Sequence, residues 1–299
     1  MVDKCYLCQF FGLILFSNSK MIRFNRLQEC VLLLVLFLLG SCSEYNQVRK
    51  KGTFEEKYEM AMALYHKKEY YKCTILFEDI LARVRGRKEA EAVNFYYGMT
   101  QFHQKQYLIS SHHFHGVYTN YPKSEYSEES RFMYANSLYH LTPNFYLDQS
   151  YTNDAIKAFQ DYINFYPETS RLDLCNKKID ELRYKLERKD FTNAKILYRL
   201  SRYKASIISL QNFIIDFPGS YFTEEALYLK INAQYDLAIN SLEIVIDDEE
   251  IIYLKKERLN KVINFYFDFI DKYQESEFST DAERIYILAK AELEKMKNT

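Results

Sequence analysis

An aromatic–histidine pair returns on a fixed step in this chain. Tyr65-His66, Phe102-His103 and Tyr139-His140 lie 37 residues apart, in "LYHKKEY", "QFHQKQY" and "LYHLTPN". The chain has only six histidines. Three copies of one dipeptide serve no catalytic purpose, but they suit a structural unit that recurs, and self-similarity at such a period marks a repeat architecture. A second mark also recurs, at longer and unequal steps: three of the four prolines close equivalent segments, "TNYPKSEY" (Pro122), "NFYPETSR" (Pro167) and "DFPGSYF" (Pro218), and "DKYQESEF" has Gln274 in that place. Each mark follows an apolar-periodic stretch, where proline belongs just beyond a helix end. Gly (7) and Pro (4) are scarce over 299 residues, so long helices with short connections are expected.

Between the marks runs a pattern of small and aromatic residues. One copy reads Gly98, Tyr107, Ser110, Phe114, Val117; another Ala135, Ala155, Phe159, Tyr162; another Ala194, Tyr203, Ser206, Leu210, Phe213. The first copy, Ala61, Tyr70, Cys73, Phe77, Ile80, lacks the proline. Small residues let two helices approach closely, and the aromatic fills the space between repeats. The pattern resembles that of tetratricopeptide repeats. The predicted fold is all-α: a tetratricopeptide-like helical-hairpin solenoid of about five repeats plus a C-terminal capping helix. The third copy carries the insertion "LTPNFYLD", and the fourth follows a long helix near Leu172–Arg188. The fifth has helices near Glu224–Ile239 and Leu254–Tyr273, with the acidic run Asp247–Glu250 between them. Thr53 with Glu56, and Thr280 with Glu283, have the spacing of capping boxes opening the first and last helices.

The leader has a different character. From Met21, Arg23 and Arg26 precede the apolar run Val31–Leu39, which ends in Leu39-Gly40-Ser41-Cys42. A membrane-spanning helix needs about 20 apolar residues; this run has the length of a signal-peptide core. Its end resembles a bacterial lipobox, which implies cleavage before Cys42 and acylation of that cysteine. Residues 1–41 are thus read as a leader with a lipoprotein signal peptide (true start at Met21), 42–52 as a lipidated polar tether, 53–170 as repeats 1–3, and 171–299 as repeats 4–5 with the capping helix. Cleavage removes Lys4, Lys20, Arg23, Arg26, Asp3 and Glu29 and takes the net charge from −1 to −3. Such a balance does not attract phosphate backbones, so no nucleic-acid partner is expected. Cys73 and Cys175 are far apart in sequence and read as buried free thiols.

Three residues before each small residue of the first helices stands one aromatic (Tyr58, Phe95, Phe132, Phe191), and four after it another (Tyr65, Phe102, Tyr139, Tyr198). Residues seven apart share a helix stripe. Two readings stand: packing between repeats, or a peptide groove formed by Tyr58, Tyr65, His66, Phe95, Phe102, His103, Phe132 and Tyr139. "HHFH" at His112–His115 reads as a helix face carrying the core Phe114 rather than a metal site. The chain has no Gly-rich phosphate loop, no H-E-x-x-H and no G-x-S-x-G, so neither catalytic residue, metal nor cofactor is expected beyond the lipid on Cys42.

Lipobox, length and repeats together resemble the BamD (YfiO) lipoproteins of the outer-membrane β-barrel assembly machine. The resemblance spans roughly Phe54 to Lys297, carried by "TNYPKSEYSEESRFMYANSLYH", "LDQSYTNDAIKAFQDYINFYPETS" and "SRYKASIISLQNFIIDFPGS". It implies a non-catalytic scaffold anchored on the periplasmic face of the outer membrane. The implied partners are a central barrel assembly protein, docked at the C-terminal repeats near Glu243–Arg258, and unfolded outer-membrane protein substrates, received at the N-terminal repeats. A different tetratricopeptide lipoprotein, scaffolding cell-wall synthesis or division proteins, shares the fold and the anchor. A glycan-binding module would favour Trp platforms, and the chain has no Trp.

Overall fold

The computed structural model describes residues 44–240 and 248–297, and every regular element among them is helical. Cys42 and the signal segment lie outside the described residues. The chain divides into two compact units, Met1–Arg85 and Gly86–Thr299.

In the first unit a helical segment at 44–51 precedes α1 (Phe54–His66) and α2 (Tyr70–Leu81). The expected tether is therefore a helix over most of its length, and it is seated: the Tyr45 hydroxyl donates to the Lys72 carbonyl at 3.4 Å. Residues 43–51 contain no proline or glycine to prevent this. Thr53 caps α1 as its spacing predicts. The Glu56 N–H donates to Thr53 Oγ1 at 3.2 Å, and the Thr53 N–H donates to Glu56 Oε2 at 2.9 Å. Two orphan donors of the first turn are thereby satisfied. Ala61, Cys73, Leu76, Phe77 and Ile80 form the buried seam of this hairpin.

The second unit runs through α3 (Ala90–His103), α4 (Tyr107–Asn120), α5 (Ser127–Leu141), α6 (Ser150–Phe165), α7 (Leu172–Arg199), α8 (Tyr203–Asp216), α9 (Thr223–Asn240), α10 (Asp248–Ile270) and α11 (Ser279–Lys295). Each helix packs on the next in the chain, the solenoid connectivity that the repeats predict. The expected helix at Leu172–Arg188 does not stop there. It continues through the first helix of the fourth repeat as the 28-residue α7. Cys175, Ile179 and Leu182 on its first half share a core with Phe114, Phe159 and Tyr162. Phe191 and Ala194 on its second half share another with Leu210, Phe213 and Ala226. One helix thus belongs to two cores.

The small residues do what their spacing implies. A Cβ on Gly98 would lie 3.1–3.3 Å from the Phe114 ring, so the close approach of α3 and α4 leaves little space there. The Cys73 thiol donates to the Ala61 carbonyl at 3.2 Å, and the Ser206 hydroxyl donates to the Ala194 carbonyl at 2.9 Å. These are the same positions of two repeats. Each polar hydrogen satisfies itself on the partner helix instead of being buried alone. Cys73 and Cys175 are buried free thiols, and burial pushes Cys175 up to about 11.

Two expectations at the C-terminal end are corrected. α10 begins at Asp248, not near Leu254, so Asp248–Glu250 open the helix instead of linking two. No proline or glycine lies between Asp247 and Lys272 to interrupt it. Thr280 does not cap the last helix. α11 starts at Ser279, and no side chain caps its N-terminus. The Ser279 hydroxyl instead lies 3.1 Å from the carbonyls of both Tyr273 and Gln274.

The hairpin turns repeat a device that their sequences conceal. Lys68, Lys105 and Ser201 have φ of 60°, 62° and 57°, the left-handed region that favours glycine. At each, the next residue's N–H reaches back to close the helix end: Glu69 to Leu64 O, Gln106 to Gln101 O, Arg202 to Leu197 O, all at 2.9 Å. A left-handed non-glycine residue costs about 1–2 kcal/mol, partly offset by glycine's greater entropy when unfolded. Lys105→Gly and Ser201→Gly should therefore each stabilise the fold by about 0.5–1 kcal/mol. Calorimetry should show a Tm rise of about 1–4 °C for each.

Candidate functional site

The aromatic ladder is the feature with functional promise, and its two rungs have different fates. The first-rung residues Phe95, Phe132 and Phe191 are buried, at 8%, 7% and 4% exposure. Each is covered by a planar group four residues after a proline mark. Tyr126 stacks on Phe95 with centroids 4.7 Å apart, and Phe222 on Phe191 at 5.1 Å. The Arg171 guanidinium lies 4.4 Å over the Phe132 ring, and Phe278 stacks on Tyr228 at 4.9 Å. Phe95 and Phe132 consequently offer no face to a ligand, which removes them from the expected groove. Their rings meet a neighbouring repeat instead, where stacking and cation–π attraction add to burial.

A serine or threonine two residues after each mark fixes the covering group. The backbone N–H of Tyr126, Arg171, Phe222 and Phe278 donates to Ser124, Thr169, Ser220 and Ser276 hydroxyls at 3.0–3.3 Å. These are short side-chain turns that hold the chain as it leaves one helix and starts the next. The residue before each proline (Tyr121, Tyr166, Phe217) has left the α region, as proline demands of its predecessor.

The second-rung residues are half-buried. In the second unit, Phe102 packs edge-on to Tyr107 across the left-handed turn at 5.2 Å, as Tyr198 packs with Tyr203 at 5.8 Å. The first unit repeats this with Tyr65 and Tyr70 at 5.9 Å. Tyr139 follows no such turn, because the insertion displaces the next helix. α7 takes over: the Tyr139 hydroxyl donates to Glu181 Oε2 at 2.6 Å, and Lys178 Nζ lies 3.6 Å from its ring centroid. That hydrogen bond, with burial, pushes the phenol up to about 12. His66 and His103 are exposed. His140 is exposed too, yet it stacks on Tyr107 at 4.6 Å and meets Phe102 at 5.5 Å. Burial, then Lys178, lowers its pKa. Tyr58 is half-buried and stacks on Phe54. Within the second unit, Phe102, His103, His140 and Tyr139 are thus neighbours with edges still open to solvent.

The insertion itself is ordered by α7. Lys185 Nζ donates to Thr142 Oγ1 at 2.6 Å, Lys189 Nζ to the Leu147 carbonyl at 2.8 Å, and Arg188 lies 4.2 Å over Phe145. Of the "HHFH" residues, Phe114 is buried as its slot requires, and His115 packs on Tyr118 and Tyr134. His113 Nδ1 lies 3.1 Å from Asn94 Oδ1. Among the described residues no group of three or more His, Cys, Asp or Glu is arranged to hold a metal ion.

Comparison with known proteins matches this frame. Residues 115–249 match the YfiO family, described as an outer membrane lipoprotein. That stretch contains the proline marks at 122, 167 and 218 with three of the four covering groups. Over 201 residues the chain is 27% identical to the putative outer membrane protein assembly factor BamD of Aquifex aeolicus (strain VF5). The chain is thus similar to BamD over two-thirds of its length. The alignment takes in 67% of this chain and 65% of the relative, just under two-thirds of that protein's length. No described helix is long and apolar enough to cross a membrane.

Two measurements test the packing. Phe222→Ala should cost about 2 kcal/mol through lost stacking and burial, lowering Tm by about 4–8 °C; Ser220→Ala should cost about 1 kcal/mol. A neutral result for both would mean that the covering group does not join the repeats. The second concerns pH. Burial, then the neighbouring His112, lowers the His113 pKa to about 4, below the ordinary value near 6.5. Between these values the unfolded chain binds a proton that the folded one refuses. The stability is therefore full above about pH 6.5 and is lost as pH falls towards 4, on the order of 2 kcal/mol in all. Urea titrations across that window should show a flatter pH dependence for His113→Gln than for the parent.

Proposed function

We propose that this chain is a non-catalytic lipoprotein scaffold of outer-membrane β-barrel assembly, held by a lipid on Cys42 at the periplasmic face of the outer membrane. The observation that carries this reading is the match to the BamD of Aquifex aeolicus, which spans 67% of the chain. The fold supports a scaffold. Its aromatic residues hold repeats together, and the exposed aromatic and apolar side chains named below lie on helices.

In this reading the C-terminal repeats dock the central barrel subunit. α10 and α11 leave Tyr253, Phe267, Ile287 and Leu288 exposed, which suits an apolar interface core. Unfolded outer-membrane proteins are received by the half-open first-rung Tyr58 with Tyr65 and His66 in the first unit, and by the second-rung end of Phe102, His103 and Tyr139 in the second. Rigid, half-open aromatics are economical anchors for an extended chain, because few rotors are frozen when they bind.

A photo-crosslinker placed at Leu288 in cells, and another at His103, tests both halves. The Leu288 probe should recover a large outer-membrane barrel protein with periplasmic domains. The His103 probe should recover newly made outer-membrane proteins before they fold. Recovery of cell-wall synthesis enzymes from both positions, with no barrel protein, would replace this reading with the wall-scaffold alternative.

A further inference from the structure

The first unit places a basic, aromatic surface beside the point where the chain leads back to Cys42. One residue, Ser43, separates Cys42 from Glu44, so the two chain steps reach roughly 7 Å at most. Tyr45 is not free to wander from the hairpin. Its hydroxyl meets the Lys72 carbonyl, and Lys72 Nζ lies 5.8 Å from its ring centroid. The end of the 44–51 helix nearest the anchor is thus seated at the start of α2, next to the α1–α2 turn. That turn is Lys67-Lys68-Glu69. Lys67 and Lys68 are exposed, and neither ammonium is paired among the described residues. Lys72 pairs with Glu69 at 2.6 Å, an exposed pair. Tyr71 stands 73% exposed beside them, among the most open large hydrophobic side chains of the described residues. Arg49, one turn along the helix, lies close enough to act on Tyr45 electrostatically. Asp79 also acts on Tyr45 but pairs with Lys57 at 2.9 Å; counting Glu44 and Glu69 against Arg49, Lys67, Lys68 and Lys72 leaves the patch positive, although the whole chain carries −1.

We propose that the surface formed by Lys67, Lys68, Tyr71 and Lys72 is a second membrane contact, which lies on the anionic phospholipid headgroups around the lipid anchor. This rests on the reading of Cys42 as the anchored residue. Charge and chemistry both select the occupant. Lysines near an anionic leaflet are attracted within a Debye length, and tyrosine favours the headgroup level, with its ring in the apolar margin and its hydroxyl in water. The left-handed Lys68 gives the turn its shape. Because residues 44–51 are a seated helix and not a loose tether, the anchor and the patch meet the same membrane plane. An acyl anchor alone fixes position but not orientation. A charged surface beside it would fix which side of the first hairpin faces the lipid.

The test uses the chain from residue 42 carrying Cys42→Ser, so that no lipid contributes. It is mixed with vesicles of phosphatidylethanolamine holding about 30 mol% phosphatidylglycerol, and separately with neutral phosphatidylcholine vesicles. Sedimentation should show preferential binding to the anionic vesicles, weakening as salt rises. K67Q/K68N/Y71S/K72Q should lower that binding about tenfold or more, while K177Q/K204Q/K256Q, exposed lysines of the second unit, should leave it unchanged. Circular dichroism confirms that both variants remain folded. Equal binding to neutral and anionic vesicles would overturn the proposal, and so would an equal loss in the second variant. Acylation is read separately, from the mass of the N-terminal peptide of protein taken from membranes. A bare Cys42 there would overturn the anchored reading and leave the vesicle result standing.

Discussion

The stacking of one planar side chain on the aromatic of a preceding helix is the contact on which this protein's second unit depends. Helical hairpins do not bury enough surface alone, so each repeat must be joined to a neighbour. Here the joint is built at four successive marks, with Tyr126, Arg171, Phe222 and Phe278 as covering groups. A hydroxyl two residues earlier holds each backbone in place. Arg171 shows that the requirement is a flat, polarisable face and not an aromatic ring, since guanidinium stacks on aromatic faces as rings do. It also pairs with Glu129 at 2.6 Å, so here the covering group is itself part of an ion pair.

Spending aromatics on joints decides what remains for partners. With 28 Tyr and 22 Phe, the chain is rich enough to do both, and the division follows position along the first helices. In the second unit the first rung lies under the covering groups and is closed. The second rung lies at the far ends of the first helices, where Phe102 and Tyr198 are each shielded on one side by the ring five residues later and Tyr139 by Lys178. Within the second unit, recognition by this ladder is therefore left to the second-rung ends. His103 and His140 belong to the same ends, which places their polar edges beside open aromatic ones.

The sequence made the period, the helix ends and the close-approach positions legible, because each has a residue type that physics nearly compels. Proline marks an end, a small residue marks a contact, and Thr53 with Glu56 marks a start. The left-handed turns escaped notice because Lys68, Lys105 and Ser201 occupy a conformation that normally announces itself by glycine. The covering groups escaped for another reason: three are aromatic and one is arginine, so no identity repeats, and only the preceding Ser or Thr is shared. The polarity of residues 44–51 suggests a tether, yet polarity does not forbid a helix, and Tyr45 seats this one on α2. Four of the proposed groove residues kept some exposure as aromatics, whereas Phe95 and Phe132 were lost to packing. Spacing alone could not separate the two stripes, because both recur on the same period.

The last mark separates what proline contributes from what the joint requires. Gln274 stands where the other marks have proline, yet α10 ends at Ile270, the Ser276 hydroxyl still accepts the Phe278 N–H at 3.0 Å, and Phe278 still covers Tyr228. Proline is therefore dispensable to the joint. Its contribution at the other marks is to exclude the α conformation from the residue before it. At the last mark this work falls to the joint itself: the hydroxyl of Ser279 lies within reach of the carbonyls of Tyr273 and Gln274, which have no further helix turn to receive them. The hydroxyl and the planar group are the conserved physical requirement within this one chain, and the proline is a reinforcement.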